Sequence, residues 1–152
     1  MSPVLIPKLS ELAARVGQTL GTSDWVTIDQ ARIQQFADAT GDHQWIHLDA
    51  ERAAAGPFGT TIAHGFLTLS LLPMLSAMAW RIEDVRMGVN YGLNRVRFTA
   101  PVPVGSRLRG RFTLIGVEPI EGGLQVLTRA EIEREGADKP VCIAEPVARL
   151  FT

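Results

Sequence analysis

The chain is poor in cysteine: Cys142 is the single one among 152 residues. An internal disulfide is thereby excluded. Cys142 sits in an apolar, strand-like run, so it reads as a buried small hydrophobe and not as a nucleophile. No Cys/His cluster has zinc-like spacing, and no metal is expected. An excess of one charge is missing too: 15 Lys+Arg against 16 Asp+Glu leave a formal net charge of -1. A nucleic-acid binder usually shows a strongly basic face or tail, so that class is set aside. Long uninterrupted apolar runs are also lacking. The nearest approach, Ile62 to Trp80, is broken by His64, Thr68, Ser70, Pro73 and Ser76, whereas a membrane span needs about 20 mostly apolar residues. It reads as a helix buried in protein, with no membrane partner. The opening residues, Met1-Ser-Pro-Val-Leu-Ile-Pro-Lys8, have no basic start, no sustained apolar core and no small-residue cleavage site. The cytoplasm is the expected location. No repeat, low-complexity tract or linker divides the chain, so one domain, 1–152, is expected. Its 46% hydrophobic and 20% charged residues form an ordinary globular mix, sufficient for a core without staples.

What is present falls into two halves. In the first, Leu9, Leu12, Ala13 and Val16 share a face of a short helix over 8–16, which Gly17 ends. A strand over 18–28 follows. Thr27-Ile-Asp-Gln30 reads as a capping box, with Thr27 as N-cap and Gln30 reaching back. The helix it opens buries Ile33, Phe36, Ala37 and Thr40 and stops at Gly41. A short helix over 49–55 precedes the loop Gly56-Pro-Phe-Gly59. The segment 62–80 is apolar on nearly all faces, which calls for protein all round it, and Pro73 predicts a kink or break. The second half is strand-like over 86–99, 106–117, 124–135 and 141–151. The turns between are Pro101-Val-Pro-Val-Gly105, Glu118-Pro-Ile-Glu-Gly-Gly123 and Gly136-Ala-Asp-Lys-Pro140. Arg107, Arg109 and Arg111 alternate with Leu108, Phe112 and Leu114. On the next strand Arg129, Glu131, Glu133 and Glu135 oppose Val126, Thr128, Ala130 and Ile132. Two such strands suit an antiparallel hairpin whose charged rows lie opposite each other. An antiparallel sheet curled round a long central helix makes an α+β domain. Its exposed edge strand predicts a homodimer.

Chemistry concentrates in Ala39-Thr-Gly-Asp-His-Gln-Trp-Ile-His-Leu-Asp49. A carboxylate, Asp42, follows the helix stop, and an imidazole, His47, comes five residues later across an apolar patch of Trp45 and Ile46. Such a pair can share one water, one group taking a proton while the other gives one. Taken cold, such residues more often cap helices, hydrogen-bond to backbone or face solvent. Burial beside Trp45 raises the pKa of Asp42 and a protonated His47 lowers it; the sequence leaves the balance open. His43 is expected to face solvent. The second cluster is Ile62-Ala-His-Gly-Phe66, at the start of the buried helix. Free N–H groups and partial positive charge gather at such a start, and Gly65 either admits a ligand to the backbone or allows close helix–sheet packing. His64 either lines a pocket or is a satisfied core histidine.

Thr40-Gly-Asp-x4-His-Leu-Asp49, followed by Ile62-Ala-His-Gly-Phe-Leu67, resembles the MaoC-like dehydratase family, also called type 2 or (R)-specific enoyl-CoA hydratases. That motif runs Gly-Asp-x-Asn-Pro-x-His and later His-Gly-Met/Phe. Gly41, Asp42, His47, His64 and Gly65 match in identity and order. The stretch Asn90 to Ser106 resembles a nodulation protein N-like subgroup that includes mycobacterial (R)-hydratases, and the likeness runs from about Thr19 to the C-terminus. The resemblance implies a hotdog fold, a homodimer, and no metal or organic cofactor. It implies a substrate carried on CoA or on the phosphopantetheine arm of an acyl-carrier protein. It implies reversible hydration of trans-2-enoyl thioesters, with Asp42 and His47 holding and activating the water. The Gly65 N–H then polarises the thioester oxygen, and His64 and Ser70 line the substrate pocket. Gln44-Trp45 departs from the usual Asn-Pro, which bears on loop shape, and Pro73 bears on the depth of the acyl tunnel. Arg95 and Arg97 are either phosphate contacts or solvent-facing sheet residues. A hotdog acyl-CoA thioesterase and a non-catalytic acyl-thioester-binding subunit are the alternative readings.

Overall fold

The computed structural model describes residues 2–152. Its second half forms the long strands expected: β5 (Met87–Phe98), β6 (Ser106–Ile120), β7 (Gly123–Arg134) and β8 (Cys142–Phe151). Two short strands precede them, β2 (Thr19–Thr22) and β3 (Val26–Ile28). The sheet is antiparallel, in the order β2-β6-β7-β8-β5, with β3 also paired to β6. A separate parallel pair joins β1 (Val4–Ile6) to β4 (Trp80–Ile82). The β6–β7 turn is tighter than expected, because β6 runs on to Ile120 and leaves Glu121 and Gly122, with φ 79° at Gly122. That conformation favours glycine.

The expected strand over 18–28 is two strands. Between them Ser23 turns inward and replaces the ladder. Its N–H donates to the Gly110 carbonyl at 2.8 Å, and its hydroxyl accepts from the Gly110 N–H at 2.9 Å. The first helix is a 3-10 turn, Leu9–Arg15, burying Leu9 and Leu12, with Val16 left exposed.

Helix α1 (Gln30–Thr40) is capped by Asp29 and not by Thr27. Thr27 belongs to β3, paired with Arg107, whereas the Asp29 carboxylate accepts from the Arg32 N–H at 2.8 Å. Asp29 thus satisfies a first-turn donor that would otherwise lack a partner, and the Gln30 amide is released for other work. Gly41 ends α1 at φ 83°, its N–H on the Ala37 carbonyl. Ile33 and Ala37 are buried, Phe36 partly so; Thr40 is exposed and bonds back to the Phe36 carbonyl. Two short helices follow, α2 (Trp45–Leu48), in a stretch whose sequence shows no period, and α3 (Ala50–Ala54).

The apolar segment forms α4 (Gly65–Ser70) and α5 (Leu72–Ala79), broken at Leu71. Pro73 lies in the first turn of α5, where its missing N–H leaves no intrahelical bond unmade. Leu67, Leu71, Leu72, Leu75 and Ala79 pack on Leu108, Phe112, Ala130, Ile132 and Ala144 of the sheet. The α+β architecture of helix against antiparallel sheet is as expected. One expectation is corrected: the helical segment is not covered on all sides within this chain. Phe66 is 68% exposed, and Pro73 and Ala77 are also exposed. On the sheet's outer face Arg107 meets Glu135 at 2.6 Å and Arg109 meets Glu133 at 2.8 Å, the opposed charged rows of the hairpin. Cys142 is fully buried, and burial pushes its thiol pKa up to about 11, which keeps it protonated and inert.

Candidate active site

Three ends of structure converge: the C-terminus of α1, helix α2, and the segment that leads into α4. Gly41 turns the chain so that Asp42 leaves α1 toward solvent. The Asp42 carboxylate accepts from the Gln44 N–H at 3.3 Å, and the residue is exposed. The expected burial of Asp42 beside Trp45 does not occur. Trp45 turns instead toward α3, with the Arg52 guanidinium 4.3 Å from its ring centre and Gly56 against its edge.

His47 is 5% exposed. Its Nδ1 lies 2.7 Å from the Ile62 carbonyl. A carbonyl only accepts, so Nδ1 carries the hydrogen and Nε2 of the neutral ring holds a free lone pair. Burial is the largest influence on the ring and lowers its pKa. The Ile62 hydrogen bond opposes this, His64 lowers it further, and Asp42 raises it. The net shift is downward, so His47 is neutral at pH 7, the state a general base requires.

His64 is 3% exposed and caps the start of α4. Its Nε2 donates to the Asp42 carbonyl at 3.0 Å, and its Nδ1 is buried without a hydrogen-bond partner among the described residues. The ring stacks on His47, centroids 3.8 Å apart and planes 22° apart, and packs 4.9 Å from the Phe36 ring. His64 is therefore both a pocket wall and a buried histidine tied to backbone. One ligand atom from each of Asp42, His47 and His64 lies within 4.8 Å of the other two. A water bonded at about 2.8 Å to the Asp42 carboxylate and to one His47 nitrogen spans such a separation.

Gly65 opens α4. A Cβ there would stand 2.9 Å from Cδ2 of Phe98 on β5, so the close packing expected of this glycine is real. Ser70 is not beside the pair. Its hydroxyl donates to the Leu67 carbonyl at 2.6 Å, and the residue lines a groove of about 960 Å³ together with Pro73, Ser76, Trp80, Tyr91 and Leu93. Asp42, His47 and His64 are not in its wall. His43 is exposed, on Asp38 at 3.1 Å. Arg95 and Arg97 are exposed on β5, Arg97 bonded to the Val96 carbonyl. Two residues near His47 escaped the sequence reading, Gln30 and Thr61. Gln30 bonds to the His47 carbonyl at 2.8 Å, and Thr61 to Gln30 at 2.7 Å. The capping-box pattern accounted for Gln30 fully, so nothing drew attention to it.

The family model described as MaoC like domain matches residues 11–135. A 3-hydroxyacyl-thioester dehydratase Z of Mycobacterium tuberculosis is 56% identical over 142 residues, covering 93% of this chain and 94% of that one. Nodulation protein N of Rhizobium leguminosarum bv. viciae is 49% identical over 140 residues, covering 90% and 86%. Among solved structures, an R-hydratase of Pseudomonas aeruginosa superposes with a TM-score of 0.76 at 27% identity, over 95% of this chain and 85% of that one. On the family match, these identities and the shared architecture, the chain belongs to the MaoC-like domain family.

Proposed function

We propose that the protein is a hydro-lyase that adds water reversibly to trans-2-enoyl thioesters, giving (R)-3-hydroxyacyl thioesters. The observation that carries this reading is the buried, neutral His47, its Nε2 lone pair free, in one cluster with the Asp42 carboxylate. Both groups accept hydrogen bonds, and a water has two to give. The water oxygen bonds to C3 as the C2–C3 π pair moves toward the thioester. The pair takes up one water proton, and C2 receives one on the same face; the other stays on the new hydroxyl. Charge that builds on the thioester oxygen is met by the N–H of Gly65 and the start of α4, a contribution typically worth about 10²–10³ in rate. Every proton and donor in this scheme comes from the chain or the water, so no cofactor is invoked. The acyl group arrives on CoA or on a carrier-bound phosphopantetheine, a substrate class that supports the cytoplasm as the location. Among the described residues no helix is long and apolar enough to cross a membrane.

The test is direct. Crotonyl-CoA is mixed with the purified protein while the enoyl absorbance and free thiol are followed together. Loss of absorbance without thiol supports hydration. Thiol release would instead mean a thioesterase, and no change on enoyl thioesters of several lengths would mean a binding subunit. Asp42→Asn keeps the shape and removes the charge. We expect it to lower the rate by about 10²-fold or more, the scale of general acid–base catalysis; near-wild-type turnover would overturn the assignment.

A further inference from the structure

We propose that Gln30, joined to Thr61, is the positioning residue that sets the His47 imidazole in its base-competent orientation. The inference rests on the reading of His47 as the base. Gln30 is the first residue of α1, and its side chain makes two bonds that link distant parts of the chain. Its amide Nε2 donates to the His47 carbonyl at 2.8 Å, and its Oε1 accepts from the Thr61 hydroxyl at 2.7 Å. Thr61 is 2% exposed. The next residue, Ile62, holds the His47 ring through its carbonyl, and its N–H donates to the Ile46 carbonyl at 3.0 Å. The ring of His47 is thus fixed by Ile62, and its backbone is fixed by Gln30. Gln30 also fixes, through Thr61, the segment to which the ring is bound.

The amide has one workable orientation. The His47 carbonyl can only accept, so it must face the NH2 group, and the amide oxygen is left for the hydroxyl of Thr61. Reversal would set two acceptors against each other. The arrangement therefore encodes the direction in which α2 is held, and α2 is only four residues, Trp45–Leu48. A helix that short has little cooperativity of its own, so its place depends on such ties. Gln30 touches neither the proposed water nor the substrate. Its influence passes through the His47 backbone and ring.

Gln30→Glu is the informative variant, because it keeps size and puts a carboxylate against the His47 carbonyl. Thr61→Val is its isosteric partner. We expect Gln30→Glu to lower kcat by about 10- to 100-fold, the cost of a displacement near 1 Å, with KM within about twofold. Gln30→Asn, too short to bridge, should not restore kcat. Thr61→Val should lose less alone and add little in the Gln30→Glu background, as expected for two members of one network. A readout that does not need turnover accompanies these. In protein carrying 15N-labelled histidine, wild-type His47 should show the Nδ1–H tautomer, and Gln30→Glu should change its tautomer ratio and raise its pKa. Unchanged His47 signals in a folded Gln30→Glu protein would overturn the proposal, as would a kcat loss that merely tracks lost thermal stability. If the wild type does not hydrate any enoyl thioester, the functional reading fails, and the NMR arm still decides whether Gln30 sets the His47 ring.

Discussion

Burial holds the His47 ring in the state that a base requires. Its surroundings favour the neutral ring, so its pKa lies below the usual histidine value of about 6.5. The sign of the pH dependence follows. Above pH 6.5 the folded and unfolded forms are both neutral, and the Nε2 lone pair is available. As pH falls below 6.5 the unfolded chain binds a proton first, so native stability declines until the folded pKa is passed. Protonation of the folded enzyme then removes the lone pair. We expect kcat/KM for crotonyl-CoA to be level through neutral pH and to fall on an acid limb whose midpoint lies below 6.5. A limb centred above 6.5 would mean that the site raises the His47 pKa, and activity that instead fell as pH rose through that pKa would mean that the ring works charged. Asp42 and His47 were legible as a candidate pair only through the family motif with His64-Gly65, since a carboxylate and an imidazole in one irregular stretch more often cap helices or bond to backbone. Gln30 was not, since a capping pattern and a tie to His47 place the same residue type at the same position. The choice fell to Asp29, whose carboxylate reaches the Arg32 N–H, and sequence spacing alone does not rank the two caps.

At the scale of elements, the approach of α4 to β5 rests on one glycine. Gly65 has no Cβ, and the Phe98 ring occupies the space a methyl group would need, 2.9 Å from its Cδ2. Phe98 also meets Phe66 edge-on at 6.0 Å, so the ring cannot retreat without disturbing a second contact. Gly65→Ala should therefore destabilise the fold by about 1–3 kcal/mol, the usual cost of overpacking, and should reduce hydration as the start of α4 shifts. Phe98→Ala in the same background should recover much of the lost stability. Thermal unfolding of the single and double variants checks this, and equal losses in both would place the strain elsewhere. The strands were legible from alternation, because period two is unambiguous over long runs such as β6 and β7. The first half was less so. Helix α2 is too short to leave a period, and the strand over 18–28 breaks where the Ser23 hydroxyl takes over the Gly110 N–H, an event that no hydrophobic pattern records.

At the scale of the whole molecule, the exposed surface points to a second copy. Strand β5 ends the sheet, and its unpaired side offers N–H and C=O groups along twelve residues. Natural edges of that length are usually shortened, charged or covered. This one carries Arg95 and Arg97 near one end but also presents Met87, Val89, Tyr91, Leu93 and Phe98, all between 44% and 58% exposed. Beside it runs the groove of about 960 Å³ between α5 and β5, and beyond that the exposed Phe66. Apolar surface of this continuity is uncommon on a monomer. The helical segment 62–80, apolar all round in sequence, is incompletely covered by its own sheet, and a twofold-related sheet would complete the cover. A formal net charge of -1 opposes such a pairing only weakly. We expect a homodimer by light scattering on a sizing column. Val89→Glu with Leu93→Glu, placing charges on β5 away from Asp42 and His47, should shift the protein to monomer while the far-ultraviolet circular dichroism of the sheet is kept. A wild type that runs as a monomer at micromolar concentration would overturn the pairing. Loss of hydration on monomerisation, with Asp42 and His47 untouched, would further mean that the site takes part of its shape from the second chain.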